Sequence, residues 1–301
     1  MRAFVLILAV LGGALVAAAV LTYPAWWLIG LLAEQPVHRV MHRIAMLIAL
    51  LGLIYVWRRY GLADKPSLGY ALPRKAFFRQ MLIGLALGTA IIAPLMVMLF
   101  VLDVRVLRAP EEFSVLKLFS AGLASGLLVA LIEETFFRGA LFTAVRLESG
   151  RMLAVVLPSA LYASLHFLGG RLQVPADQID WGSGFAVLGE MFVKYREPLT
   201  FADSFLALFF VGVLLAIARL RTGAIAVCIG MHASWVCAIA VVRGSSRVNS
   251  EAPAGWLVGT YDGVIGWGVV AFMVTMALCY LAVTRGKPIR DGASVAATQE
   301  K

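Results

Sequence analysis

The sequence predicts an all-α fold: a polytopic integral membrane helix bundle with about eight transmembrane helices. Three observations carry that prediction. Hydrophobic side chains make up 61% of the 301 residues, charged ones 14%, and the mean hydropathy is +0.90, which leaves too little polar surface to coat a water-soluble globule. The apolar residues gather into runs close to the roughly 20 residues that cross a hydrocarbon core of about 30 Å. The runs lack the alternation of barrel strands, and a backbone in lipid must pair its own polar groups, so the spans are helices.

In chain order the runs are 4–32, 43–57, 81–102, 115–145, 152–168, 201–220, 224–242 and 261–284. The first continues through Pro24, Trp26 and Trp27, further than a cleaved secretory leader extends, and so reads as a span. His38 and His42 precede the second run in a polar loop. After that run come Arg58, Arg59, Lys65, Arg74, Lys75 and Arg79 against Asp64, which places this loop in the cytoplasm. Its segment 60–80 carries Leu72, Phe77 and Phe78 among the cations and is expected to lie on an anionic leaflet. Alternation then puts Arg146, Arg151, Arg219, Arg221, Arg285, Lys287 and Arg290 inside. The loop 169–200, with Asp177, Asp180, Glu190 and Glu197, falls outside; its Trp181, Phe185, Phe192 and Tyr195 read as interfacial anchors or a substrate surface. Both termini are then cytoplasmic, and the expected location is a bacterial inner membrane.

The net charge of +9 is thereby a topology signal, and nucleic acid is not an expected partner. Cys228, Cys237 and Cys279 lie inside apolar runs, which suggests neither disulfides nor thiolate metal sites. The polar tail 291–301 is expected to be disordered. One membrane domain divides into N-terminal helices with the interfacial segment (1–114), a core (115–242), and a last helix with its tail (243–301).

Chemistry concentrates in the core. Glu133, Glu134 and Arg138 sit at membrane depth, where each ionised group costs about 2.5 to 3.5 kcal/mol at a helix centre. Glu134 and Arg138 stand at i, i+4 and can neutralise each other. Glu133 points about 100° away from Glu134 and needs another partner or a wet cavity. Two histidines share the bilayer with it, His166 near the outer end of the fifth span and His232 near the middle of the seventh. An unpaired acid and two imidazoles on three helices of one bundle suit hydrolysis: Glu133 activates water, one histidine assists, and the other polarises a carbonyl. Zinc is the competitor, since Glu and His also bind it, but the residues do not form a His-Glu-x-x-His helix.

These residues resemble the motifs of the CAAX-protease and bacteriocin-processing (Abi) family of intramembrane endopeptidases, which includes the type II CAAX prenyl endopeptidases. The family's Glu-Glu-x-x-x-Arg is matched by Glu133, Glu134 and Arg138. Its Phe-x-x-x-His is matched by Tyr162 and His166, with Tyr for Phe, and its His-x-x-x-Asn begins at His232. The resemblance covers about 115–242 and implies Glu133 as the water-activating base, His166 as its partner in holding the water, and His232 as an oxyanion donor. Glu134 and Arg138 are implied as supports.

The implied substrate is a membrane-associated or lipid-modified peptide or protein. No cofactor is expected, with a divalent metal as the alternative. Val236 stands where the family has Asn, so one oxyanion donor is missing, and Ser164 and Ser234 are the substitutes at hand. That departure keeps a second class of function open: a catalytically impaired relative acting as a binding or immunity factor. A small transporter is the third reading, disfavoured because no paired half-repeats are visible.

Overall fold

The computed structural model describes residues 1–284 and is all-α apart from one two-stranded ribbon. The helices are α1 (Arg2–Gly30), α2 (Val37–Arg59), α3 (Arg74–Val101), α4 (Val115–Glu134), α5 (Phe142–Leu165), α6 (Ser183–Met191), α7 (Ala202–Thr222), α8 (Ala226–Ser245) and α9 (Trp267–Thr284). Among the described residues six helical segments are long and apolar enough to cross a membrane, and Trp267–Cys279 is a shorter apolar helix. The chain is thus a multi-pass integral membrane protein. The tail 291–301 and the cations Arg285, Lys287 and Arg290 lie outside the described residues.

One apolar segment, Val115–Leu165, runs for 51 residues, about 76 Å as a straight helix and more than twice the hydrocarbon thickness. It does not run straight. Gly150 takes φ 83°, a conformation glycine reaches without steric cost, and the chain reverses there. Arg138 and Tyr162, each twelve residues from Gly150, meet with the guanidinium carbon 4.8 Å from the ring centroid.

α8 lies at the centre, with 67% of its apolar window buried, and packs on α3 and α4. Small residues allow that approach: a Cβ on Gly84 or on Gly230 would strike backbone of the opposing helix, and one on Gly126 would meet the Ala233 carbonyl. Close small-residue seams of this kind are how helices associate in lipid, where burial of apolar surface gives no drive. α5 packs on α7, α7 on α9, and α1 on α2 and α6.

The connections differ from the sequence expectation in two places. α2 begins at Val37, directly after Pro36, so His38 and His42 occupy its first turns and not a polar loop. Nothing between 37 and 43 breaks a helix, and the His38 Nδ1 finds the Leu172 carbonyl at 3.2 Å. The segment 60–80 does not simply rest on a leaflet, since Arg74 onward is α3 and the preceding loop docks into the bundle. Thr143 Oγ1 donates to the Ser67 carbonyl at 2.7 Å, Ile225 N–H to that of Gly69 at 3.2 Å, and the Tyr70 and Thr135 hydroxyls bond at 2.6 Å. Phe77 packs in a cluster with Ala130 and Ile229, while Phe78 is exposed.

Strands β1 (Arg105–Leu107) and β2 (Ser246–Val248) pair antiparallel across the α3–α4 and α8–α9 connections. The buried Arg105 guanidinium fastens them, donating to Ser246 Oγ at 2.7 Å and to the Gly263 carbonyl at 2.8 Å.

Candidate active site

Glu133 and Glu134 close the last turn of α4, and the helix then widens into a π turn, Thr135–Leu141. Such turns hold one extra residue and recur at functional sites. Within it Arg138 faces inward and its Nη1 donates to Glu134 Oε1 at 3.0 Å, the i, i+4 pair expected from the sequence. Arg138 Nη2 donates to the Gly212 carbonyl of α7 at 3.2 Å, and its own carbonyl accepts from Arg219 Nε at 3.0 Å. Both charged side chains of the pair are fully enclosed, Glu134 at 0% and Arg138 at 1% exposure. Desolvation on that scale is tolerable only because each charge neutralises the other within a hydrogen-bonded set.

Glu134 holds a second partner. His232 Nδ1 lies 2.8 Å from Glu134 Oε1, and since a carboxylate only accepts, Nδ1 carries the proton. The other ring nitrogen, Nε2, then faces Glu133, 3.8 Å from its Oε2. Glu133 is turned the other way from Glu134, 27% exposed, and lines a cavity of about 260 Å³ together with Tyr162, His166 and His232. Its Oε2 has no hydrogen-bond partner among the described residues.

His166 reaches the same cavity by symmetry about the Gly150 reversal. Glu133 lies seventeen residues before that glycine and His166 sixteen after, so antiparallel helices bring them to one height. The Nδ1 of His166 donates to the Tyr162 carbonyl at 2.7 Å, which leaves Nε2 as the free acceptor of that ring. Tyr162 is the hub. Its ring centroid is 4.4 Å from that of His166, 6.1 Å from that of His232 and 5.3 Å from that of Phe137. Among the described residues its hydroxyl makes no hydrogen bond, and the residue lines the cavity.

The structure therefore gathers Glu133, His166 and His232 at one cavity and sets Glu134 and Arg138 behind them. Val236 also lines it and offers no donor. Neither serine substitutes: Ser164 Oγ donates to the Ala160 carbonyl at 2.8 Å, and Ser234 Oγ to that of Met231 at 2.7 Å, facing α3. Hydroxyls inside apolar helices bond their own backbone when no other acceptor is near. Sequence reasoning missed Tyr162 as a cavity residue and missed Arg243, Tyr261 and Asp262 at the far end. The four-residue spacing from Tyr162 to His166, which stacks side chains on one helix face, was the available signal.

Among the described residues no three His, Cys, Asp or Glu side chains are arranged to hold a metal ion. The residues present do not fit a metal site.

A helical membrane bundle with an acid, two imidazoles and a phenol around one cavity has the side chains of a hydrolase. Residues 115–238 match the family model of Rce1-like type II CAAX prenyl endopeptidases. Comparison with curated proteins and with solved structures gives no match.

Proposed function

We propose that the protein is an intramembrane endopeptidase that hydrolyses a peptide bond of a membrane-associated or lipid-modified substrate. The observation that carries the reading is the division of labour between adjacent carboxylates: Glu134 is sealed against Arg138 and His232, while Glu133 faces the cavity 3.8 Å from His232 Nε2. Glu133 takes a proton from water as the oxygen attacks the scissile carbonyl carbon, and passes it to the departing amine nitrogen. The His166 Nε2 accepts the water's second hydrogen and fixes its direction. His232, oriented through Nδ1 by the Glu134 carboxylate, presents Nε2 to the oxyanion and donates to it when that nitrogen carries a proton. Tyr162 supplies the second oxyanion donor, at the cavity that Val236 leaves without one.

Eight crossings follow if Val115–Leu165 counts as two, divided at Gly150, and α9 as the last. With the cation-rich 60–73 loop inside, both termini are cytoplasmic, and the end of the cavity lined by Arg243 and Asp262 lies toward the outer face. The core is 115–242, with 1–114 and 243–301 as flanking parts of one membrane domain.

Purified protein is mixed with membrane-associated peptides, and products are read by mass spectrometry for wild type, Glu133→Ala and His166→Ala. Cleavage by wild type alone is expected. Equal turnover by all three would remove the enzyme reading and leave the binding-factor reading standing.

A further inference from the structure

A second site lies where α2 begins and α5 ends, and its lining shares no residue with the cavity described above. We propose that it binds an anionic glycerophospholipid, with the headgroup in a basic cavity and an acyl chain in the groove that continues from it. The basic cavity measures about 800 Å³ and is lined by Arg39, Arg171 and Lys194, with Glu190 as its one carboxylate. Among the described residues none of the three cations forms an ion pair; Lys194 rests 5.8 Å from the Tyr261 ring centroid. Three unpaired cations against one acid hold an excess of positive charge that an anion satisfies.

Its place fits a headgroup. Arg39 stands in the first turn of α2, and Arg171 follows the end of α5, so the cavity sits at the membrane boundary. Below it, an apolar groove of about 420 Å³ runs between α1, α2 and α5, lined by Leu15, Met46, Ala49 and Leu168. The two spaces share His42 and Gly169, and His42 Nε2 is buried without a partner among the described residues. From His42 to Ala49 the groove follows α2 for about 10 Å toward the bilayer centre. A soluble anion fills only the upper part. A phospholipid fills both, and the bilayer presents it from the side. This site stands independently of the peptidase reading.

The test uses the full-length protein in detergent, titrated with phosphatidylglycerol, with phosphatidylcholine of the same chains, and with glycerol 3-phosphate. Native mass spectrometry reads the bound fraction, and circular dichroism checks the fold of each variant. Phosphatidylglycerol is expected to bind well above the other two. The double variant Arg39→Gln with Arg171→Gln is expected to bind it about thirty-fold more weakly, roughly five-fold for each cation at a membrane surface. Ala49→Trp, which fills the groove and leaves the cations in place, is expected to lower binding as well. Equal binding of the two phospholipids, or wild-type affinity in a folded double variant, would overturn the proposal. Glycerol 3-phosphate binding as tightly as phosphatidylglycerol would also overturn it and assign the cavity to a free anion. Should the double variant not fold, the comparison of lipids on wild type and Ala49→Trp decides.

Discussion

Replacing each of two adjacent, chemically identical acids by glutamine separates the tasks that the bundle gives them. Glu134→Gln removes the anion between Arg138 and His232. The guanidinium, 1% exposed, then faces only neutral acceptors, the glutamine oxygen and the Gly212 carbonyl. Leaving one member of a buried pair unmatched costs about 3 to 5 kcal/mol. The glutamine oxygen still accepts one hydrogen bond, so the low end, about 3 kcal/mol or some two orders of magnitude in the folding equilibrium, is expected. Glu133→Gln removes a charge that is 27% exposed and whose buried oxygen has no partner, and its effect on stability should stay within about 0.5 kcal/mol. Its effect on rate is the opposite: loss of a general base lowers kcat about 100- to 10,000-fold. Unfolding followed by tryptophan fluorescence in mixed micelles, paired with peptide turnover, measures both quantities. Equal destabilisation by the two substitutions, or a Glu134→Gln protein as stable as wild type, would refute the assignment of roles.

The donor assigned to Tyr162 predicts that Tyr162→Phe lowers kcat about 100- to 1,000-fold with little change in KM. Val236→Asn should restore much of that rate in the Tyr162→Phe background and change wild type only slightly; no recovery in the double variant counts against a shared oxyanion role. Turnover should survive exhaustive chelation, and a loss reversed by added zinc would move Glu133 and His232 into ligand positions. On the α3–α8 seam, Gly230→Val places side-chain atoms against the backbone of Met81 and Leu85, and size-exclusion profiles should show loss of folded protein. A monodisperse, thermally stable Gly230→Val protein would mean that the two helices can separate freely.

Much of the site was legible because helix geometry is local. The angle between Glu133 and Glu134, and the four-residue step from Glu134 to Arg138, follow from 3.6 residues per turn. The cost of placing three charges at membrane depth announced that the segment had a use for them. What the sequence could not supply was contact between distant segments: the Glu134–His232 bond joins residues 98 apart. That bond makes Glu134 the orienter of the imidazole as well as the partner of Arg138. The π turn was equally hidden, since its extra residue looks like any other helical position. The serine substitutes failed for a local reason that sequence does reveal, their tendency to bond their own helix. His38 and His42 were misplaced because polarity was read as a loop, although a helix end at the membrane boundary tolerates polar side chains. The ribbon of Arg105–Leu107 with Ser246–Val248 was missed because strands of three residues leave no periodic pattern.

The reversal at Gly150 makes the proposed reacting groups the tips of a pair of tongs. Glu133 and His166 sit about 25 Å from the hinge along their separate arms. Opening the hinge by about 5° would spread the tips by roughly 2 Å, and a displacement of 1 Å can cost a hundred-fold in rate. Whatever grips or loosens the far end of this hairpin can therefore set the pace of chemistry it never touches.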